Sequence, residues 1–357
     1  MEMHEIRPEI SQALLTNPGI GFIAAPELMD AEPNALRDSR GQIVAPYKFT
    51  PDSRTWNHPD SGVLFCSCRW MDIEPLQGTY DWRCLEEKLD AAAALGCTCI
   101  VRISPYALSA QEDIPAWLRV RYPEEPEFPF WRIDPNTTEY PRLWAALIRN
   151  FAARYDGDPR ITSVDMAIVG AWGEGGGTEN MEENAMKTVI AAYMEGFPHT
   201  PLTALLHDPK SLACIRAFPK QVGFRVDCLG DMGGFHGDRW SHMLDFYPEN
   251  IQNFQMGDAW QEAPVVFEAC WHMNDWYLQG WDIDYIIDES LKWHISSYNS
   301  KGTTVPEAWK NSVTRWVRRM GYRFELHLAR WQARGTAGKP WRWEMLVLNT
   351  GVAPCYH

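Results

Sequence analysis

The sequence predicts an α/β protein: a (β/α)8 TIM barrel with a short C-terminal β-hairpin or partial β-domain. Two observations carry this. Eight short apolar runs alternate with helical segments in one pass along 357 residues, which is how successive β-α units read. No G-x-G-x-x-G follows the first run, so a doubly wound dinucleotide sheet has no fingerprint here.

The runs come in order. Residues 19–23 are the first expected strand, and 62–69 (GVLFCSCR) the second. A helix over 82–95 follows, apolar at Leu85, Leu89, Ala92 and Leu95, positions three or four apart on one face. The third strand is 97–103 (CTCIVRI), then a Pro-rich excursion over 115–135 and a helix over 140–155. The fourth strand, 161–171, runs into the glycine-rich stretch 170–177 and a helix over 181–196. Strands five to eight are expected at 202–206, 222–229, 265–269 and 294–298, with helices at 276–292 and 306–320. Beyond Gly321 the texture changes: 323–331 and 341–348 alternate like antiparallel strands around a turn-rich 334–340. The expected division is a barrel over 1–321 and C-terminal β-strands over 322–357, standing alone or beginning a β-sandwich domain.

Bulk properties narrow the class. Hydrophobic residues at 45% and charged residues at 22% match a globular chain with a large core. Net charge is −14 and no Lys/Arg run occurs, so nucleic acid is excluded as a partner. No apolar run is long enough to span a bilayer, so no membrane association is expected. The N-terminus MEMHEIRPEI lacks a signal peptide, and the nine cysteines lie mostly in apolar runs without CxxC spacing. Both point to free buried thiols in a cytoplasmic protein. Eighteen Trp are unusual; indole packs on the flat C–H faces of sugars, though it equally fills core.

In barrels of this kind the C-terminal strand ends face the active site. Reading those positions gives Arg69, Trp70, Arg102, Trp172, Glu174, His207, Asp208, Asp227, Asp231, Glu268, Trp271, His272, Tyr298 and Asn299. Glu268 interrupts the apolar run PVVFEACW. A carboxylate buried there needs partners, and Arg225 or Arg102 on neighbouring strands are the candidates for a purely structural ion pair. Glu174 sits in WGEGGG directly after strand four, where glycines let backbone approach a ligand. Glycoside cleavage needs such a pair: one carboxyl protonates the leaving oxygen, and the other attacks the anomeric carbon or activates water. His207, Asp208, Asp227, Asp231 and His236 lack the spacing of a metal site; no metal or cofactor is expected.

A carboxylate after strand four and another after strand seven resembles the clan A (β/α)8 glycoside hydrolases, such as family-42 β-galactosidase-like enzymes. The segment RWMDIEPLQGTYDW (69–82) is similar to their E-P-x-x-G-x-Y-D/N-W/F pattern after strand two. NPGIGF (17–22) and NTGVAP (349–354) resemble a branch carrying a C-terminal β-domain. The resemblance implies a retaining glycosidase acting on β-linked sugars, an oligosaccharide or glycoside, with Glu174 as acid/base and Glu268 as nucleophile. Arg69, Trp70, Arg102, Trp172, Asp208, Asp227, Trp271, His272, Tyr298 and Asn299 would bind the sugar. The chain departs from the clan at Gly173, where Asn is usual, and at Tyr298-Asn299, where a Trp platform is common. The alternatives are a transglycosidase using the same pair and a non-catalytic carbohydrate-binding barrel. Nothing in the sequence speaks to oligomeric state.

Overall fold

Strand β1 (Met3–Ile6) opens the chain, and β2 (Gly21–Ala24) is the first stave of the barrel. An antiparallel ribbon, β3 (Ala35–Arg37) with β4 (Ile43–Pro46), precedes the second stave. The remaining staves are β5 (Val63–Arg69), β6 (Thr98–Ser104), β7 (Ile161–Asp165) and β8 (Leu202–Leu205). They continue through β9 (Gly223–Leu229), β10 (Val265–Ala269) and β11 (Ser297–Asn299). All eight pair in parallel in chain order, and β11 closes on β2. The structure, a computed structural model, describes residues 2–24, 35–37, 43–46, 61–105, 114–121, 134–170, 173–233, 240–270, 272–301 and 305–356. Part of the Pro-rich excursion lies outside the described residues.

Period-two alternation sorts each stave into an inner and an outer face. Outward residues such as Phe22, Cys66, Val101, Phe224, Val226, Phe267 and Tyr298 join the core shared with the surrounding helices. Inward residues build the barrel interior in tiers. Ile23, Val63, Ile100 and Val266 make an apolar floor, with Phe65 packed on it. Two residues further along their strands come Arg102, from β6, and Glu268, from β10. The interior thus turns from apolar to charged toward the C-terminal strand ends.

Several tryptophans prove to be core. Trp70, Trp144, Trp276 and Trp316 are fully buried. Trp70 packs edge-on to Trp144 with ring centroids 5.1 Å apart, and Trp316 lies 5.5 Å from Phe22.

Some boundaries differ from expectation for identifiable reasons. The fourth strand ends at Asp165 rather than 171, because the backbone beyond it is claimed by ring donors. Trp144 Nε1 (3.0 Å) and Tyr193 Oη (2.9 Å) donate to the Ala167 carbonyl, and Tyr140 Oη donates to Ile168 (2.7 Å). The helix expected over 276–292 is two, Met273–Leu278 and Ile283–Lys292. Gly280 at φ +71° ends the first, and Asp282 caps the second by accepting from the Asp284 and Tyr285 amides. Short helices Pro209–Ile215 and Tyr247–Asn253 follow strands five and six, where none was expected.

At the C-terminus β12 (Phe324–Gln332) and β13 (Trp343–Asn349) pair antiparallel, as the alternation suggests. The unforeseen element is β1, which adds to the other edge of β12 with Met3 opposite Gln332 and makes a three-stranded sheet. Two strands alone are marginal, and β1 supplies the third.

The expectation that all cysteines are free thiols is corrected at one place: Cys228 and Cys270 form a disulfide. The register between β9 and β10 shifts after Phe267, so that Ala269 lies opposite Leu229. This brings Cys228 and Cys270 side by side across 42 residues of sequence, a meeting that spacing could not reveal. Cys66, Cys68, Cys97, Cys99 and Cys214 are buried thiols outside any disulfide. Among the described residues no helix is long and apolar enough to cross a membrane.

Gly223 opens β9 where a Cβ would stand 1.9 Å from the Pro264 carbonyl oxygen. No side chain fits there without moving backbone. Gly223→Ala is expected to cost about 1–3 kcal/mol, the range for overpacking a well-packed site, seen as a lower urea midpoint with an unchanged slope.

Candidate active site

Three carboxyl groups meet at the C-terminal mouth of the barrel. Glu174 arrives on the loop after β7, Asp227 from β9 and Glu268 from β10, each with an oxygen within 4.8 Å of the others. Asp227 and Glu268 are inward residues of adjacent staves, so the pleat alone aims them together. Glu174 is placed by irregular backbone: Gly173, Gly175 and Gly177 all have positive φ (+72°, +72° and +101°), open to glycine at little cost.

Beneath them the charges alternate. Asp165 Oδ2 receives Arg102 Nε (2.9 Å) and Nη2 (2.5 Å), and faces Arg225 Nε at 3.0 Å. Arg225 continues upward, donating from Nη1 to Asp227 Oδ1 (3.1 Å) and from Nη2 to the Gly173 carbonyl (2.6 Å). Arg102, Asp165 and Arg225 are all buried. Glu268 has separate partners: Lys301 Nζ at 2.6 Å and Asn299 Nδ2 at 3.1 Å. The structural reading of Glu268 as an ion pair with Arg102 or Arg225 is therefore corrected, since both guanidiniums turn to Asp165.

Three cations, Arg102, Arg225 and Lys301, thus stand against three paired carboxylates, Asp165, Asp227 and Glu268. Glu174 is the fourth acid. Burial, then the neighbouring charges of Asp227 and Glu268, push its carboxyl up to about 7. Asp227 goes the other way: burial opposes its charge, but chiefly Arg225, and also Lys301, holds it below the usual range. Burial favours the charge-free ring of His207 and lowers its proton affinity, although its Nε2 lies 3.9 Å from Asp227. Around pH 7 the site therefore sets a carboxyl that still holds part of its proton beside carboxylates held in ion pairs.

The oxygens of Glu174, Asp227 and Glu268 lie close enough to hold a hard cation. The ammonium of Lys301 and the guanidinium of Arg225 already bring positive charge to two of the three.

Of the residues expected at the site, Glu174, Asp227, Glu268 and Asn299 come together. Arg102 lies one tier below, its guanidinium 4.6 Å over the Phe65 ring. Arg69 stands at the end of β5, paired through Nε with Asp72 at 2.8 Å. His272 is the N-cap of Met273–Leu278, its amide donating to Asp275 (2.9 Å). Three expectations are corrected by side-chain direction. Asp208 caps Pro209–Ile215, accepting from the Lys210 and Ser211 amides at 3.2 Å each. Trp70, one residue past inward-facing Arg69, is fully buried and donates to Glu74 (2.7 Å). Tyr298, one residue before Asn299, points outward to Phe22 and Trp316. Trp172, Trp271 and His236 lie outside the described residues. Asp231 accepts from the His242 ring and amide.

The strand-end positions read from the sequence omitted Asp165, Arg225 and Lys301. Arg225 was findable: in VGFRVDCL it shares the parity of Asp227, so both face inward. Lys301 carried no signal, being a loop lysine two residues beyond β11.

Known proteins give two kinds of likeness. The glycoside hydrolase family 42 model, described as beta-galactosidase, matches residues 61–166. That segment carries β5 to β7 and ends before Glu174. No curated protein matches the chain. The catalytic domain of β-amylase from Paenibacillus polymyxa superposes with a TM-score of 0.55 at 9% identity, covering 84% of this chain and 99% of that one. Endo-glycoceramidase II from Rhodococcus sp. gives 0.49 at 13% identity, covering 91% and 81%. The fold is the (β/α)8 barrel, and the resemblance to the clan A barrel glycoside hydrolases read from the sequence holds.

The raised Glu174 has a consequence for stability. Its proton is held more tightly in the folded than in the unfolded chain, so stability falls as pH rises from about the ordinary glutamate value near 4.3 through about 7. Glu174→Gln abolishes this dependence. Its stability relative to wild type, from urea unfolding, is expected to increase between pH 4 and 7.5; a pH-independent difference would contradict the raised carboxyl.

Proposed function

We propose that the chain is a glycosidase that cleaves a β-linked sugar by a retaining double displacement, with Glu174 as acid/base and Glu268 as nucleophile. The observation that carries this reading is the approach of the two carboxyl groups, with oxygens within 4.8 Å. Retaining enzymes hold their pair about 5–5.5 Å apart, whereas inverting ones leave about 6.5–9.5 Å for a water.

The electrostatics suit the two roles. Glu174, pushed up to about 7, keeps a proton to give to the leaving oxygen. Glu268, between Lys301 and Asn299, is an anchored carboxylate for attack on the anomeric carbon. As the first bond breaks, Glu174 protonates the departing oxygen while Glu268 forms the glycosyl ester. Glu174, now ionised, then takes a proton from the water that cleaves this ester. Asp227, close to both and held charged by Arg225, adds negative potential where the oxocarbenium-like transition state gains positive charge. Asn299 and Asp227 are the described groups placed to meet sugar hydroxyls. The description of the matching family makes a β-galactoside the first substrate to try.

The test is a panel of aryl β-glycosides, led by the galactoside. kcat/KM is expected to fall on the alkaline side near pH 7 as Glu174 loses its proton. Glu268→Ala should lose activity by several orders of magnitude and Glu174→Ala should lose it mainly on poor leaving groups, with azide restoring turnover as a β-glycosyl azide. Wild-type turnover by both variants, or an inverted azide product from Glu174→Ala, overturns the assignment.

A further inference from the structure

We propose that Arg225 is the positioning residue of the proton donor: one guanidinium clamps the Glu174 loop to the two staves that carry Asp165 and Asp227. The proposal rests on the reading of Glu174 as acid/base.

The geometry is specific. Arg225 lies inside the barrel, 4% exposed, and each of its three nitrogens faces a different element. Nη2 donates to the Gly173 carbonyl at 2.6 Å, the peptide oxygen whose partner nitrogen belongs to Glu174. Nη1 donates to Asp227 at 3.1 Å, and Nε faces Asp165 at 3.0 Å. A planar fork with fixed donor directions can bind three groups at once; a lysine ammonium is a point charge on a flexible stem.

The loop needs an outside anchor. Gly173, Gly175, Gly176 and Gly177 give it little intrinsic rigidity. Its downstream half closes on itself, with the Thr178 hydroxyl and amide both donating to the Gly175 carbonyl. Upstream, the bond from Arg225 fixes the peptide next to Glu174. Space is tailored to the contact: a Cβ on Gly173 would stand 2.9 Å from Arg102 Cδ, so the backbone can lie against the two guanidiniums only because residue 173 has no side chain. Arg225 therefore holds the loop by its backbone, at the Gly173 carbonyl.

This role makes a prediction that general loss of structure does not. Protonation matters for a poor leaving group and hardly for an activated one. The experiment compares kcat/KM, which reports formation of the glycosyl-enzyme, for the phenyl and 2,4-dinitrophenyl β-glycosides of the sugar accepted by the wild type. Arg225→Lys keeps the buried charge and Arg225→Gln keeps a neutral donor; Glu174→Ala is run beside them. A misplacement of about 1 Å can cost on the order of 10²-fold. Both Arg225 variants are expected to lose at least about tenfold more on the phenyl glycoside than on the dinitrophenyl one, in the same direction as Glu174→Ala. Equal losses on the two substrates, including the total loss of an unfolded chain, or no loss at all, overturn the proposal. If Glu174→Ala itself shows no leaving-group dependence, the acid/base reading fails instead, whatever the Arg225 variants do.

Discussion

Charge buried inside a barrel must be compensated on the spot, and that constraint organises this molecule's interior. Arg102, Asp165, Arg225 and Asp227 alternate in sign from the apolar floor to the mouth. Removing any one strands its neighbours in a medium where an unpaired ion is costly by several kcal/mol. The chain of ion pairs therefore ties β6, β7 and β9 together from within, while the aromatic layer of Trp70, Trp144, Trp276 and Trp316 holds the helices from without. The two layers do different work. The outer is apolar and non-directional; the inner is polar and fixes angles.

The same compensation creates chemistry. Three cations satisfy three carboxylates, and a fourth carboxyl, Glu174, is left among negative neighbours with its proton held up to about 7. Among the described residues, a carboxyl that holds its proton up to about 7 is thus a consequence of charge counting in a confined space. Burial lowers the proton affinity of His207, which weakens it as a cation beside the trio. Lys301 pairs directly with Glu268, so the two glutamates are electrostatically unlike although they are close in space.

Much of the fold was legible because alternation reports burial directly. Each of the eight expected runs overlaps a stave, and the two C-terminal alternating segments pair as written. What failed was local. Asp208 lies at a strand end, as read, but the Pro209 that follows makes it a helix cap. Trp70 and Tyr298 each sit one residue from a true inward position, and a one-residue error in a period of two reverses the face. Fixing the strand registers from the floor upward would have excluded both and would have added Arg225.

The sequence by itself determined the barrel, its charged inner parity at Asp227 and Glu268, and the glycine-rich loop that bears Glu174. These are properties of patterns a few residues long, which elementary geometry converts into faces and turns. Only the tertiary structure decided the partners: Asp165 for both arginines, Lys301 and Asn299 for Glu268, Cys228 for Cys270, and β1 for β12. Each joins residues far apart in the chain, through the register between strands and the path of loops. No local pattern encodes that distance, because it is set by the closure of the whole barrel.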